Sequence, residues 1–165
     1  MFNGDDITWG LPANSNPEAL RWFKLLLLAE NDLPDDVRAS AHLAEARTRL
    51  RDLETSAVDV IAKYLEHFWA HCLEKMKLGD GMQTVDTSRF HVVVTLPAIW
   101  PNYARDRMRQ AVEKAGILKQ RRGVGKTSLE FLSEPEAAAM AALSGIDGRH
   151  NIQASALDLQ VSSFV

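Results

Sequence analysis

The chain has 165 residues, 46% of them hydrophobic and 25% charged, with a formal net charge of −3. That length and balance suit one ordinary buried core and exclude a wholly disordered polymer. The mild acidity excludes a surface that attracts polyanions as a whole. A single cysteine, Cys72, cannot build an intramolecular disulfide framework and fits a reducing compartment. No apolar run approaches the roughly 20 residues that span a bilayer. The opening Met1–Gly10 carries two acids and no apolar stretch, unlike a signal peptide. The expectation is a cytoplasmic protein without membrane contact.

Residues 1–16 read as irregular, punctuated by Gly4, Gly10, Pro12 and the turn-forming Asn14-Ser15-Asn16. Asn16 before Pro17 has the pattern of an N-cap followed by proline at the first helical position. A short helix is therefore expected from Glu18 to about Ala29, carrying Trp22, Phe23 and Leu25–Leu28, with Pro34 breaking it. Residues 35–53 read as a second helix with a thin apolar stripe at Val37, Ala41, Ala44, Leu50 and Leu53. The strongest helical signal follows. Ser56 with Asp59 resembles a capping box, and Ala57, Ile61, Leu65, Phe68, Cys72 and Met76 recur at three- and four-residue steps on one face. Gly79 is the expected C-cap, and residues 79–88 read as a polar loop.

The period then changes. Phe90–Leu96 is β-branched and nearly continuous, the pattern of a strand buried on both faces. Pro97 and Pro101 punctuate a loop, Tyr103–Ala115 reads as a helix closed by Gly116, and Leu118–Thr127 is a basic, glycine-containing loop. Ser128–Leu132 is a short strand, and Pro135 opens an alanine-rich helix to about Ser144. Strand, helix and strand in this order make a βαβ unit with parallel strands. After Gly145 the chain is polar until a short apolar end, Val161–Val165.

Several residue groups invite a chemical reading. Gly123–Ser128 (GVGKTS) resembles a phosphate loop, but that motif needs a glycine where Gln120 stands, and it opens a helix after a strand rather than leading into one. His67 and His71 stand four apart near Cys72 and Glu74, a possible metal pair; the partly buried face of a helix accounts for them better. Cys72 lies on the apolar stripe and reads as an inert core thiol. Lys119, Arg121, Arg122 and Lys126 could touch nucleic-acid phosphates, but no aromatic residue interleaves them, and a solvated connection accounts for them better. No nucleic-acid partner is expected. The last group differs: Pro97 and Glu134 follow the carboxyl ends of two parallel strands, where open α/β sheets place their ligands, with Arg105 close by.

Two segments carry a family resemblance. VVVTLPAIWPNYARDRMRQAVEKAGI (residues 92–117) resembles the strand–proline–helix segment of the actin-like ATPase domain of seventy-kilodalton heat-shock proteins. LEFLSEPEAAAMAAL (residues 129–143) resembles that domain's Asn-Glu-Pro-Thr-Ala-Ala-Ala helix start. Upstream, Arg21–Leu27 and Ser56–Ile61 are similar to divergent members of the family. The resemblance runs from about Trp9 to the end.

That resemblance implies an α/β fold, part of the first lobe of an actin-like (ribonuclease H-like) ATPase. Residues 1–89 would form its mainly helical part. Residues 90–165 would form a βαβ part that stops before the second phosphate loop. By the same resemblance, Pro97 matches a proline that switches between nucleotide states, and Arg105 the arginine that relays the switch. Glu134 matches a glutamate near the magnesium and the attacking water, and Lys24 a lysine that contacts the transferred phosphate. ATP and magnesium are the implied cofactors. Neither glycine-rich phosphate hairpin of the family occurs in the sequence, and Ser133 and Glu136 replace its usual Asn and Thr, so ATP binding by this chain is expected to be weak or lost. The alternative reading is a helical protein-interaction module using Trp9, Trp22, Phe23, Phe68, Trp69 and Trp100, or self-association through strand 90–96. A further alternative is nucleic-acid binding through residues 119–126.

Overall fold

The computed structural model describes residues 19–121 and 123–146, together with Asn16 and a small antiparallel hairpin of β1 (Phe2–Asn3) and β2 (Asp6–Ile7). Expectations for Trp9, Pro17, Arg122 and Val161–Val165 fall outside the described residues. The helices are α1 (Asp35–Arg38), α2 (Ala41–Asp52), α3 (Ala57–Asp80), α4 (Met82–Thr87), α5 (Asn102–Lys114) and α6 (Glu134–Ile146); the strands β3 (His91–Leu96) and β4 (Ser128–Ser133) lie on either side of α5 in sequence.

The long helix α3 begins as its sequence dictates. The Ser56 hydroxyl accepts a hydrogen bond from the Asp59 N–H at 3.1 Å, satisfying one of the orphan donors of the first turn. Ala57, Val60, Ile61, Ala62, Leu65 and Cys72 are buried, while Phe68 and Met76 are half-buried. Lys63 and Glu66 are exposed and pair with each other at 3.0 Å. Two details differ from expectation. Gly79 lies inside the helix, and Gly81, at φ 88°, supplies the terminating backbone that only glycine adopts freely. The segment that follows is not a loop but α4, anchored by buried Val85.

Strands β3 and β4 pair in parallel, with His91 opposite Ser128 through to Leu96 opposite Ser133. Val92, Val94 and Leu96 on one face of β3 join a core made with Ile61 and Leu65 of α3 and Met108, Ala111 and Val112 of α5. Leu129 and Phe131, opposite Val92 and Val94, pack at its margin. On the other face Thr95 is also buried. Helix α5 ends as expected, with Gly116 at φ 77°.

The first half departs most from expectation. The helix foreseen from Glu18 to Ala29 is a 3-10 stretch, Phe23–Leu27, followed by a second short one, Glu30–Asp32. The run Leu25–Leu28 has no helical period to hold an α-helix, and the surrounding structure takes its backbone groups. The Leu27 carbonyl accepts from Arg107 Nη1 at 2.6 Å, and the Ala29 N–H donates to Tyr103 Oη at 2.8 Å. Trp22 enters the stretch at φ 60°, its indole stacked on His42 at 5.9 Å. The helix read over residues 35–53 is divided at Ser40. Its buried residues are Leu43 and Ala46, not Ala41, Ala44 and Leu53, which are exposed. Leu43, Ala46 and half-buried Leu50 follow helical spacing and form the inward stripe.

Candidate functional site

Because β3 and β4 are in register to their last residues, the chain leaves both at one edge of the sheet: Pro97 after Leu96, Glu134 after Ser133. Glu134 is the first residue of α6, whose start is fixed by a reciprocal capping box. The Glu136 N–H donates to the Ser133 hydroxyl at 3.3 Å, while the Glu136 carboxylate accepts from the Ser133 N–H at 3.0 Å and hydroxyl at 2.7 Å. These are the two positions at which the turn departs from the family pattern. Ser-x-x-Glu is itself a helix-start signature, and here it does the capping. The Ser133 hydrogen bonds hold the Glu136 carboxyl below its ordinary value, with a smaller contribution from the Arg105 charge.

Lys24 arrives from the opposite end of the sequence. Its Nζ lies 3.2 Å from Glu134 Oε1, a contact across 110 positions, and 5.6 Å from the centroid of the buried Trp100 ring. The Lys24 side chain is 20% exposed and that of Glu134 39%. The ammonium is thus held between a carboxylate and an aromatic face, with water on one side. Arg105, on α5, is half-buried, and its Nε has no hydrogen-bond partner among the described residues. The structure therefore brings Lys24 and Glu134 into contact and sets Pro97 at the same edge. The Arg105 charge acts on Glu136.

The other candidate groups occupy different places. Gly123 and Gly125, at φ 80° and 96°, shape a turn closed by the Arg121–Gly125 bridge, and this turn leads into β4 at the end opposite Glu134. Arg121 is committed to structure: it donates to the Val85 carbonyl at 2.9 Å and to the Ser88 carbonyl, and its guanidinium lies 4.2 Å from the Phe90 ring. His67 is half-buried and His71 exposed; among the described residues no three His, Cys, Asp or Glu side chains are grouped to hold a metal. Burial raises the Cys72 thiol pKa, which lowers its thiolate fraction. No helix among the described residues is long and apolar enough to cross a membrane.

Comparison with known proteins agrees with the distant likeness. Human heat shock 70 kDa protein 12A is 28% identical to this chain over 128 residues. The match covers 74% of the chain and 17% of that protein, so the chain spans about a sixth of its length. No family model matches the chain, and no solved structure matches it. The match supports a distant relationship to the heat-shock-70 proteins, and the observed fold is α/β with a short parallel sheet.

Proposed function

We propose that this chain is a segment of the first lobe of a heat-shock-70-like, actin-like nucleotide-binding domain, and that the edge carrying Lys24, Pro97 and Glu134 faces the phosphates. The observation that carries this reading is the 3.2 Å contact between Lys24 and Glu134 at the carboxyl ends of parallel strands. A lysine beside developing phosphate charge and a carboxylate that orders metal-bound water are the usual division of labour in phosphoryl transfer.

The residues present fit magnesium in a limited way. Mg²⁺ commonly uses one or two carboxylates, with water and substrate phosphates completing its shell, and bound there it would neutralise phosphate charge. Glu134 is a carboxylate of that kind: partly exposed and fixed at a helix start. Phosphate cradling is less well served. It relies on successive backbone N–H groups in glycine-rich turns, and the described glycine turn at Gly123–Gly125 lies at the other end of β4. Lys24 and Glu134 thus supply charge without the cradle, so nucleotide affinity in the millimolar range or weaker is expected.

Mapping amide chemical shifts while Mg-ATP is raised through millimolar concentrations tests this. The expected response is at Lys24, Ser133, Glu134 and the residues after Pro97, and it should shrink in Lys24→Ala. A response confined to other residues, or none at saturation with inorganic phosphate and ATP alike, overturns the assignment of this edge. A micromolar dissociation constant overturns the claim that glycine-rich loops are needed for tight binding.

A second, non-enzymatic reading has its own support. Ile99 is 86% exposed, and Met140 and Leu143 on the apolar helix α6 are 60% and 66% exposed. Met140 and Leu143 stand three apart and so share one side of α6; contiguous apolar surface left in water marks a site that other protein covers, which suits an interaction segment as well as a piece of a larger lobe.

A further inference from the structure

Lys24 and Glu134 meet, but they are held by different parts of the molecule. Glu134 is fixed by β4 and by the capping box of α6. Lys24 sits on the 3-10 stretch Phe23–Leu27, a conformation whose hydrogen bonds are poorly aligned and which seldom persists without outside support. Its apolar side packs on α3, with Phe23 against Tyr64 and Leu27 in the core, and its polar support comes from α5. Arg107 Nη1 donates to the Leu27 carbonyl at 2.6 Å. The Tyr103 hydroxyl accepts from the Ala29 N–H at 2.8 Å and donates to the Asp32 carboxylate. Arg107 also lies over the Tyr103 ring, 4.9 Å from its centroid, so the two side chains brace each other one helical turn apart.

We infer that Tyr103 and Arg107 are positioning residues: together they form a clamp through which helix α5 sets the reach of Lys24 toward Glu134. The three grips at Leu27, Ala29 and Asp32 span both 3-10 stretches. In a 3-10 helix side chains three apart eclipse, so Lys24 and fully buried Leu27 share one side. Fixing the carbonyl of Leu27 therefore fixes the direction in which Lys24 leaves the backbone. Remove the clamp and the stretch keeps its leucines and its own 3-10 hydrogen bonds, but the Leu27 carbonyl and the Ala29 N–H lose their partners. Lys24 is thus tied to α5 while Glu134 is tied to β4, so a shift of α5 against the sheet would change the Lys24–Glu134 separation. The Lys24–Glu134 separation then reports the position of α5.

The catalytic meaning of this clamp rests on the phosphate-facing reading above; the clamp itself does not. Its test uses the ammonium ¹H–¹⁵N resonance of Lys24, assigned by its loss in Lys24→Gln, with no nucleotide present. In the parent chain that resonance should stand apart from those of solvated lysines. Tyr103→Phe and Arg107→Gln should each move it at least half-way to the solvated position, and Arg107→Lys, which keeps a cationic donor, should restore part of the shift. Lys114→Gln, on the same helix, removes the Lys114–Asp59 ion pair and should leave the Lys24 signal in place. Unchanged amide shifts for Val92–Val94 would show that the sheet is intact. If Arg107→Gln does not fold, Tyr103→Phe, which deletes one oxygen, carries the test. A Lys24 signal unmoved in Tyr103→Phe, or moved equally in Lys114→Gln, overturns the clamp. If the clamp responds as expected while Mg-ATP leaves Glu134 unaffected, the phosphate-facing reading fails and the clamp stands.

Discussion

Leu96 stands directly opposite Ser133 in the parallel pair of β3 and β4, so Pro97 and Glu134 leave the sheet as neighbours. Everything else at the candidate site is arranged around that alignment. The capping box turns α6 away at Ser133, Trp100 packs beneath, and Lys24 is brought in from the first half to meet the carboxylate.

The Lys24–Glu134 pair is expected to contribute little to stability. Both groups keep contact with water, which screens their attraction. A double-mutant cycle with Lys24→Ala and Glu134→Gln, measured by urea unfolding, should give a coupling of about 1 kcal/mol or less. A coupling above about 3 kcal/mol would mean a desolvated structural ion pair, and a reason for the pair other than ligand chemistry.

Core substitutions on α3 should follow burial rather than sequence periodicity alone. Leu65 is 2% exposed within the core shared by α3, β3 and α5. Leu65→Ala should cost about 2–5 kcal/mol. Phe68, half-buried and stacked on Tyr64 at 6.0 Å, should cost less on truncation than the ~3–5 kcal/mol of a fully packed phenylalanine. Chemical denaturation of the two variants gives the order directly.

How much of this was legible in the sequence depends on how local the cause is. The extents of β3, β4 and α5 and the start of α3 follow from β-branched runs, helical spacing and Ser56, all within a few residues of their effects. The 3-10 stretch is not legible, because the Ala29 N–H and the Leu27 carbonyl are satisfied by Tyr103 and Arg107, 74 and 80 positions away. The stripe of α2 differs from the expected one because alanines are ambiguous: Ala46 is buried while Ala41 and Ala44 are exposed. The capping box is written in the sequence as Ser133 and Glu136, three apart at the start of an apolar helix. Lys24 enters the site only through resemblance; no spacing rule connects it with Glu134, 110 positions away.

Arg121 should behave as a structural residue. It fills the carbonyls of Val85 and Ser88 and covers the Phe90 ring, fastening α4 to the start of β3. Arg121→Ala leaves those carbonyls without their donor and should lower stability by about 1–3 kcal/mol. Binding to a single-stranded oligonucleotide at low salt should be weak in the parent chain and unchanged by the substitution. A steep salt dependence that Arg121→Ala flattens would restore the nucleic-acid reading.

Acid should loosen the α3–α5 contact. The Asp59 carboxyl is held below its ordinary value, chiefly by the hydrogen bond from Lys114 and then by that from Ser56. A carboxyl whose pKa is lower folded than unfolded adds stability above its unfolded value of about 3.9, and that stability fades as pH falls through the folded value. Glu136, lowered by Ser133, acts in the same direction. Between about pH 5 and pH 2 the parent chain should therefore lose more in melting temperature than Asp59→Asn, measured in the same buffers. Parallel curves for the two proteins would show that Asp59 gains nothing from its partners on folding.

Strand β3 carries the last prediction. Val92, Val94, Thr95 and Leu96 are buried, covering both faces, which is the character of an interior strand. Yet β3 pairs with β4 along one edge, and among the described residues no strand pairs with the other. An open edge presents unpaired N–H and C=O groups, and natural edges are blunted by lysine, proline or a bulge. None of these devices occurs in His91–Leu96, whose only ionisable residue, His91, lies at its start and is engaged with Ser128 at 2.7 Å and Glu130 at 3.1 Å. Two strands are also few for an independent sheet. The hypothesis is that a second copy of the chain adds to this edge. Sedimentation velocity across micromolar concentrations should show reversible association, and hydrogen exchange at Val92–Val94 should slow as concentration rises. Val93→Lys, placing a charge on the half-buried position of the strand, should shift the population toward monomer. A single monomeric species whose Val92–Val94 amides are strongly protected at every concentration would refute self-association, since the edge would then already be paired within one chain.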